Sequence, residues 1–287
     1  MDRVFALLDD AGGIDQVARA RAFELVLILV VGVEYWLRAV PKWGQLAPAY
    51  YWHLAVATVC CLAALHVPWR RAALAVLAVS HLGLVWREFP SAGNHAYLEV
   101  FFCGLAAFLR TSDPAEARLF VGAVRWMVVI IFFYSGVQKL VHGFWVDGQY
   151  LAFSLDSAGF RPVLRLLLSP AEYARLAAFT GEVGDGSYRV ASWPLLLVSN
   201  GTWLAEMALA PLLVWGRTRI PAALAGLALL AGIEVGAREV FFGLIFVNAV
   251  LCFLPVRVHR RAVPVVALLL LALTLSRLGV LPEATFY

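Results

Sequence analysis

The sequence predicts an all-α integral membrane protein: a bundle of about nine transmembrane helices, with eight spans or a re-entrant pair as the alternatives, and a long extracytoplasmic loop. Three observations predict it. Of the 287 residues, 62% are apolar and 15% charged, and the mean hydropathy is +0.81; too little polar surface remains to cover a water-soluble particle. Apolar runs near the ~20 residues that a spanning helix needs recur along the chain. The arginines gather in alternate short connections between those runs, the distribution that orients helices in a membrane.

Residues 1–21 mix Asp2, Asp9, Asp10 and Asp15 with Arg3 and Arg19 and offer no small-residue cleavage site. They read as a cytoplasmic N-terminal arm, and the span after them is expected to be retained. Spans follow near 22–39, 49–67, 72–89, 95–109, 119–140, 193–215, 220–237, 240–255 and 262–279, a transmembrane domain over 22–279. The fourth is short with a polar start, and only Arg238 and Glu239 divide the seventh from the eighth. The long connection is 141–192. Its Arg161, Pro162 and apolar RLLL stretch, then Gly181, Gly184, Asp185 and Gly186, predict a lid with a short interfacial helix and a flexible turn. Residues 280–287 form a C-terminal tail.

A net charge of +4 would suggest nucleic acid in a soluble domain, but here the basic residues sit between spans. Arg3, Arg19 and Arg21 precede the first span, and alternate loops carry Arg70 with Arg71, Arg110 with Arg118, Arg217 with Arg219, and Arg257 with Arg260 and Arg261. The opposite loops and the C-terminus offer only Arg38, Lys42, Arg87, Arg238 and Arg277. The expected orientation is therefore a cytoplasmic N-terminus, with the long loop and the C-terminus extracytoplasmic. The expected surroundings are a lipid bilayer, with no nucleic-acid partner. Cys60, Cys61, Cys103 and Cys252 lie inside apolar runs without metal-ligand spacing and read as packing residues.

In this orientation Glu34, Glu88, His95, Glu99, Lys139, His142, Glu234, Arg238 and Glu239 all fall near the outer ends of their spans. An ionisable group inside a membrane costs about 3 kcal/mol unless it pairs or faces a wet cavity, so such a concentration points to a site. Glu34 with Arg38, His95 with Glu99, and Glu234 with Arg238 are each four residues apart on one helical face. Ion pairs that merely anchor helix ends are the plainer alternative. Glu206, mid-span in NGTWLAEMALAPLL, demands a proton or a partner such as Arg125. His53, His66 and His81 read as isolated core or interface histidines, and no spacing suggests a metal.

Three stretches then carry a resemblance. GVQKL, ending at Lys139 and Leu140 and followed by Trp145, Asp147 and Gly148, resembles the Gly-Val-Lys-Lys-Leu, Trp-x-x-Gly stretch of the vitamin K-dependent gamma-carboxylases. The same stretch marks the bacterial membrane proteins that share their transmembrane module, the horizontally transferred transmembrane (HTTM) family. GNHAYLEVFFCGL, from Gly93, resembles the family's Asn-His-Ser-Tyr-Leu segment. NGTWLAEMALAPLLVWGRTR, from Asn200, resembles its helix with a buried acid and a basic turn. The resemblance runs over roughly residues 20–255 and implies a bacterial inner or plasma membrane protein.

It also implies a lyase-type chemistry. The matching lysine of the carboxylases deprotonates vitamin K hydroquinone; oxygen then turns the quinol into a strong base that removes a glutamate proton, and carbon dioxide adds. Lys139 is thereby the expected general base, and vitamin K hydroquinone or menaquinol the expected quinol, with O2 and CO2 as co-substrates and no metal. An amine removed from water is disfavoured as a cation, the condition a general base requires. His95 and Glu99 are expected to position a quinol oxygen, and Asn94, Tyr97, Trp145, Asp147, Glu206, Glu234 and Arg238 to line the substrate site. The isoprenoid tail is expected near Phe132, Phe133, Phe241 and Phe242. A peptide or protein substrate on the outer side is a further implied partner. Three departures count against it: Gln138 replaces the first lysine, Leu140 and Trp145 are one residue further apart, and Ile233 with Glu234 stands where the animal enzymes carry histidine. With the sequence ending at Tyr287, the large extracytoplasmic domain that grips the peptide is not expected. A transporter or a partner-binding membrane subunit is the alternative.

Overall fold

Long apolar stretches broken by Pro, Gly and charge favour helices that end where the pattern ends. The computed structural model of the protein describes residues 13–40, 44, 47–89, 94–154, 160–178, 188–237 and 239–281. Among the described residues the regular structure is entirely helical: α1 Gly13–Ala39, α2 Pro48–Leu65, α3 Arg70–Glu88, α4 Asn94–Phe108, α5 Pro114–His142, α6 Gln149–Phe153, α7 Phe160–Leu167, α8 Pro170–Ala177, α9 Trp193–Val214, α10 Arg219–Ala237, α11 Val240–Leu251 and α12 Val256–Arg277. Pro opens α2, α8 and α9 at the first or second helical position, where its missing N–H is no loss. Asp113 Oδ1 accepts from the amides of Ala115 and Glu116 at the start of α5.

Five helices, α2, α5, α9, α10 and α12, are long and apolar enough to cross a membrane. The chain is thus an all-α, membrane-type protein. The other apolar helices fall short for two reasons. At 1.5 Å per residue, the 15 residues of α4 and the 12 of α11 reach only about 22 and 18 Å. Helices α1 and α3 carry charge instead: Glu24, Glu34 and Arg38 on the first, Arg70, Arg71, Arg87 and Glu88 on the second.

The chain divides into two compact units. The first comprises Met1–Trp126 and Val240–Phe286, the second Met127–Glu239 with Tyr287. In the first unit α1 packs against α2, α4, α11 and α12, and α3 against α2 and α4. Phe23 meets Phe102 and Phe120 edge-on, with ring centroids 5.0 and 5.5 Å apart. Polar groups buried in this core are tied to backbone. Arg19 donates to the Leu254 carbonyl at 3.1 Å and Arg125 to that of Cys252 at 2.8 Å, so two guanidiniums serve one turn. Asn248 donates to the Phe23 carbonyl and meets His259; Glu24 accepts from Thr111 and Arg70. The four cysteines are free and buried.

In the second unit α9 packs on α10, and α7 touches α8, α9 and α10. The described part of the segment read as a lid holds the short helices α6, α7 and α8. Leu151, Ala152, Leu164, Leu168, Leu176, Tyr188, Val190 and Leu195 bury one another in a small apolar cluster, because the leucines of α7 and α8 share a face that needs covering. Gly181, Gly184, Asp185 and Gly186, the expected turn, lie outside the described residues, as do Lys42, Gly93 and Arg238.

Candidate functional site

On α5, Ser135 and Lys139 are four residues apart and therefore share a face. Between them sits Gly136. A Cβ there would stand 2.6 Å from Met207 Cγ and 2.8 Å from the Trp203 carbonyl oxygen on α9. Only glycine admits α9 so close, and that approach brings Glu206 onto Lys139. The ammonium lies 2.7 and 2.8 Å from the two Glu206 oxygens and donates to Ser135 Oγ at 2.6 Å. The Lys139 side chain is 16% exposed and that of Glu206 5%. The lysine therefore turns inward rather than reaching for headgroups.

The turn after α5 supplies a roof. Gly143 and Gly148 adopt φ +74, a left-handed backbone that glycine takes without strain, and the chain between them doubles back. Ser199 donates to the Trp145 carbonyl at 2.5 Å and Asn200 to that of Val146 at 2.9 Å, pinning the turn to α9. The Trp145 indole then sits with Lys139 Nζ 5.0 Å from its ring centroid, a cation–π distance, and stacks on Tyr150. Asp147 does not join them. Its carboxylate accepts from Gln149 and pairs with Arg189 at 3.3 Å, and its carbonyl accepts from Val190 N, so it builds the loop.

Of the expected residues in this unit, Lys139, Trp145 and Glu206 come together. The partner of Glu206 is Lys139 rather than Arg125. Glu234 is half-buried with Oε2 lacking a partner among the described residues; Arg238, its expected mate, lies outside them. Phe132 is a core residue against Gly226, and Phe133 is half-exposed. Ser135, Ser199 and Asn200 were missed. Only Ser135 had a signal, its helical spacing from the lysine.

The first unit holds its own polar cluster. Tyr35 donates to Glu99 Oε2 at 2.9 Å, and His81 Nε2 approaches the same oxygen at 3.0 Å. Glu34 pairs with Arg38 Nε at 2.9 Å and His95 Nε2 at 3.0 Å, and its carboxyl group meets that of Glu99 within hydrogen-bonding distance. Glu34, His81 and Glu99 are wholly buried. His53 bonds Ser80 at 2.8 Å, its ring 4.7 Å from that of His81 and 4.6 Å from that of Tyr35.

Several expectations change here. Glu34–Arg38 forms as its spacing implies. His95 and Glu99, read as a pair on one face, take partners from α1 and α3 instead. His81 and His53, read as isolated, are members of the cluster, because three other helices deliver the polar groups that sequence spacing within one helix does not show. Tyr97 is partly exposed, and the side chain of Asn94 lies outside the described residues. His142 and Glu239 are exposed. Phe241 is buried beneath the Arg38 guanidinium and Phe242 stacks on Phe246, so both serve the protein's own packing. Comparison with known protein families, characterised proteins and solved structures finds no match to the chain.

Proposed function

We propose that the protein is a membrane enzyme of the vitamin K-dependent gamma-carboxylase-like kind, in which Lys139 removes a proton from a lipid-soluble, quinol-type substrate. One observation carries the reading: a lysine at a helix end that is drawn inward, bound by both oxygens of Glu206 and by Ser135, and covered by an indole. The pair shares one ionisable proton. When Glu206 holds it, Lys139 is a neutral amine that can take the proton of a bound hydroxyl, and the ammonium so formed lies beside the new oxygen anion. Trp145, held against Tyr150, covers the amine with its ring. Oxygen and carbon dioxide are the co-substrates that the sequence resemblance implies.

The nine-span arrangement belongs to this proposal: α1, α3, α4 and α11 join the five long apolar helices. The charges on α1 support it, since Glu24 and Glu34 are both buried and paired. With the N-terminus cytoplasmic, the connection 141–192 and Lys139 face the outside of a bacterial plasma or inner membrane.

The test is oxidation of reduced menaquinone by protein reconstituted in lipid nanodiscs, followed as oxygen uptake and by mass spectrometry of the quinone. Lys139→Ala is expected to lower the rate at least about 100-fold, the usual worth of a general base. Lys139→Arg is expected to fail as well, because a guanidinium does not give up its proton. Activity of Lys139→Arg equal to wild type sinks the reading.

A further inference from the structure

We propose that Glu34, Glu99 and His81 form a buried proton-binding site that stores two exchangeable protons inside the first unit, with His95 as its outlet. The hydrogens in the cluster require it. His81 Nδ1 lies 2.9 Å from the Leu77 carbonyl oxygen, which can only accept, so Nδ1 carries the ring hydrogen of a neutral imidazole. Its Nε2 is then a bare acceptor, yet it stands 3.0 Å from Glu99 Oε2, another acceptor. That contact requires one proton. The Glu34 and Glu99 carboxyl groups meet in the same way, and two carboxylates at hydrogen-bonding distance require a second.

Among the described residues no neighbour supplies either. Tyr35 spends its one hydroxyl hydrogen on Glu99. Arg38 and His95 both address Glu34 Oε1. Glu34 Oε2 and Glu99 Oε1 are buried without a hydrogen-bond donor. Leaving such acceptors face to face in a dry interior is costly, so both protons stay on the cluster.

With one proton on His81 and one between the carboxyls, one carboxylate charge faces two cations, the imidazolium and Arg38, and the excess positive charge falls on Arg38, whose side chain is 45% exposed. The other titratable groups facing the site are His53 and Cys61 on α2, Glu88 on α3 and Cys103 on α4. Helix α11 brings none, and α12 brings Arg277 to the same end of α1. Among the described residues two partly exposed side chains touch Glu34, Arg38 at 45% and His95 at 12%; the guanidinium does not give up its proton, so His95 is the route. Release of a stored proton through it leaves two acceptors opposed, and the helices that carry them must then part or admit a cation.

Infrared difference spectroscopy of the full chain in lipid reads the stored proton directly. Wild type is expected to show the carbonyl stretch of a protonated, buried carboxylic acid at neutral pH, shifted in D2O. Glu99→Gln and Glu34→Gln are each expected to lose it. They should fold, because the glutamine amide supplies the hydrogen that the cluster lacks. Glu206→Gln is expected to keep the band. Absence of the band from wild type overturns the proposal without any variant, and so does its survival in a Glu34→Gln, Glu99→Gln double variant with loss in Glu206→Gln.

Discussion

Among the described residues Glu206 pairs with one charged group, Lys139, which is also the candidate base. The two roles can be told apart. Glu206→Gln keeps the shape and a hydrogen-bonding oxygen for Lys139, so the variant is expected to fold with a small loss of stability. Glu206→Leu strands a buried ammonium, and removal of one member of a buried pair costs about 3–5 kcal/mol, so its yield or melting temperature should fall sharply. If both variants express and melt like wild type, the pair is not buried as described. For the reaction, Lys139→Ala should recover part of its quinol oxidation when small primary amines are added, since they enter the space left beneath Trp145. Amine-independent activity in that variant would assign the base elsewhere.

Among the elements, the meeting of α5 and α9 decides the site, and Gly136 decides the meeting. Glycine to alanine inside a helix ordinarily stabilises by about 1 kcal/mol. At Gly136 the added methyl would meet a backbone oxygen at 2.8 Å, and backbone cannot step aside as a side chain can. Overpacking of about 1–3 kcal/mol then wins. Gly136→Ala is expected to lower the melting temperature and loosen the Lys139–Glu206 pair, whereas Gly232→Ala, with nothing within 4 Å of its new Cβ, should be neutral or stabilising; equal effects would refute the close approach. Helix positions were legible in the sequence because apolar length is written locally: the first and last described helices lie within a few residues of their expected spans at the C-terminal end. Partnerships were not. Glu34–Arg38 could be read because one helix carries both, but the meetings of His81 with Glu99 and of Lys139 with Glu206 depend on which helices become neighbours. The leucines of α7 and α8 likewise gave no hint that the expected lid would pack into a core of its own.

For the molecule as a whole, the distribution of arginine gives a prediction that needs no side-chain detail. All four native cysteines are buried, so one introduced by Gly184→Cys is the group a maleimide will find. A membrane-impermeant maleimide is expected to label it on intact cells and not in inverted vesicles. The reverse pattern would put Lys139 on the cytoplasmic side and overturn the orientation, though not the pairing.

The first unit is assembled from both ends of the chain, and this sets an order on its synthesis. Arg19 must wait 235 residues for the Leu254 carbonyl and Arg125 must wait 127 for that of Cys252. At a translation rate of about 5–20 residues per second, the first wait lasts roughly 10–50 s. Throughout it the nascent α1 carries a guanidinium that belongs inside the protein, and the insertion machinery or the headgroups must shelter it. A ribosome that stops within α10 would release a chain in which neither arginine can reach its carbonyl, and such a chain is a ready substrate for membrane proteases.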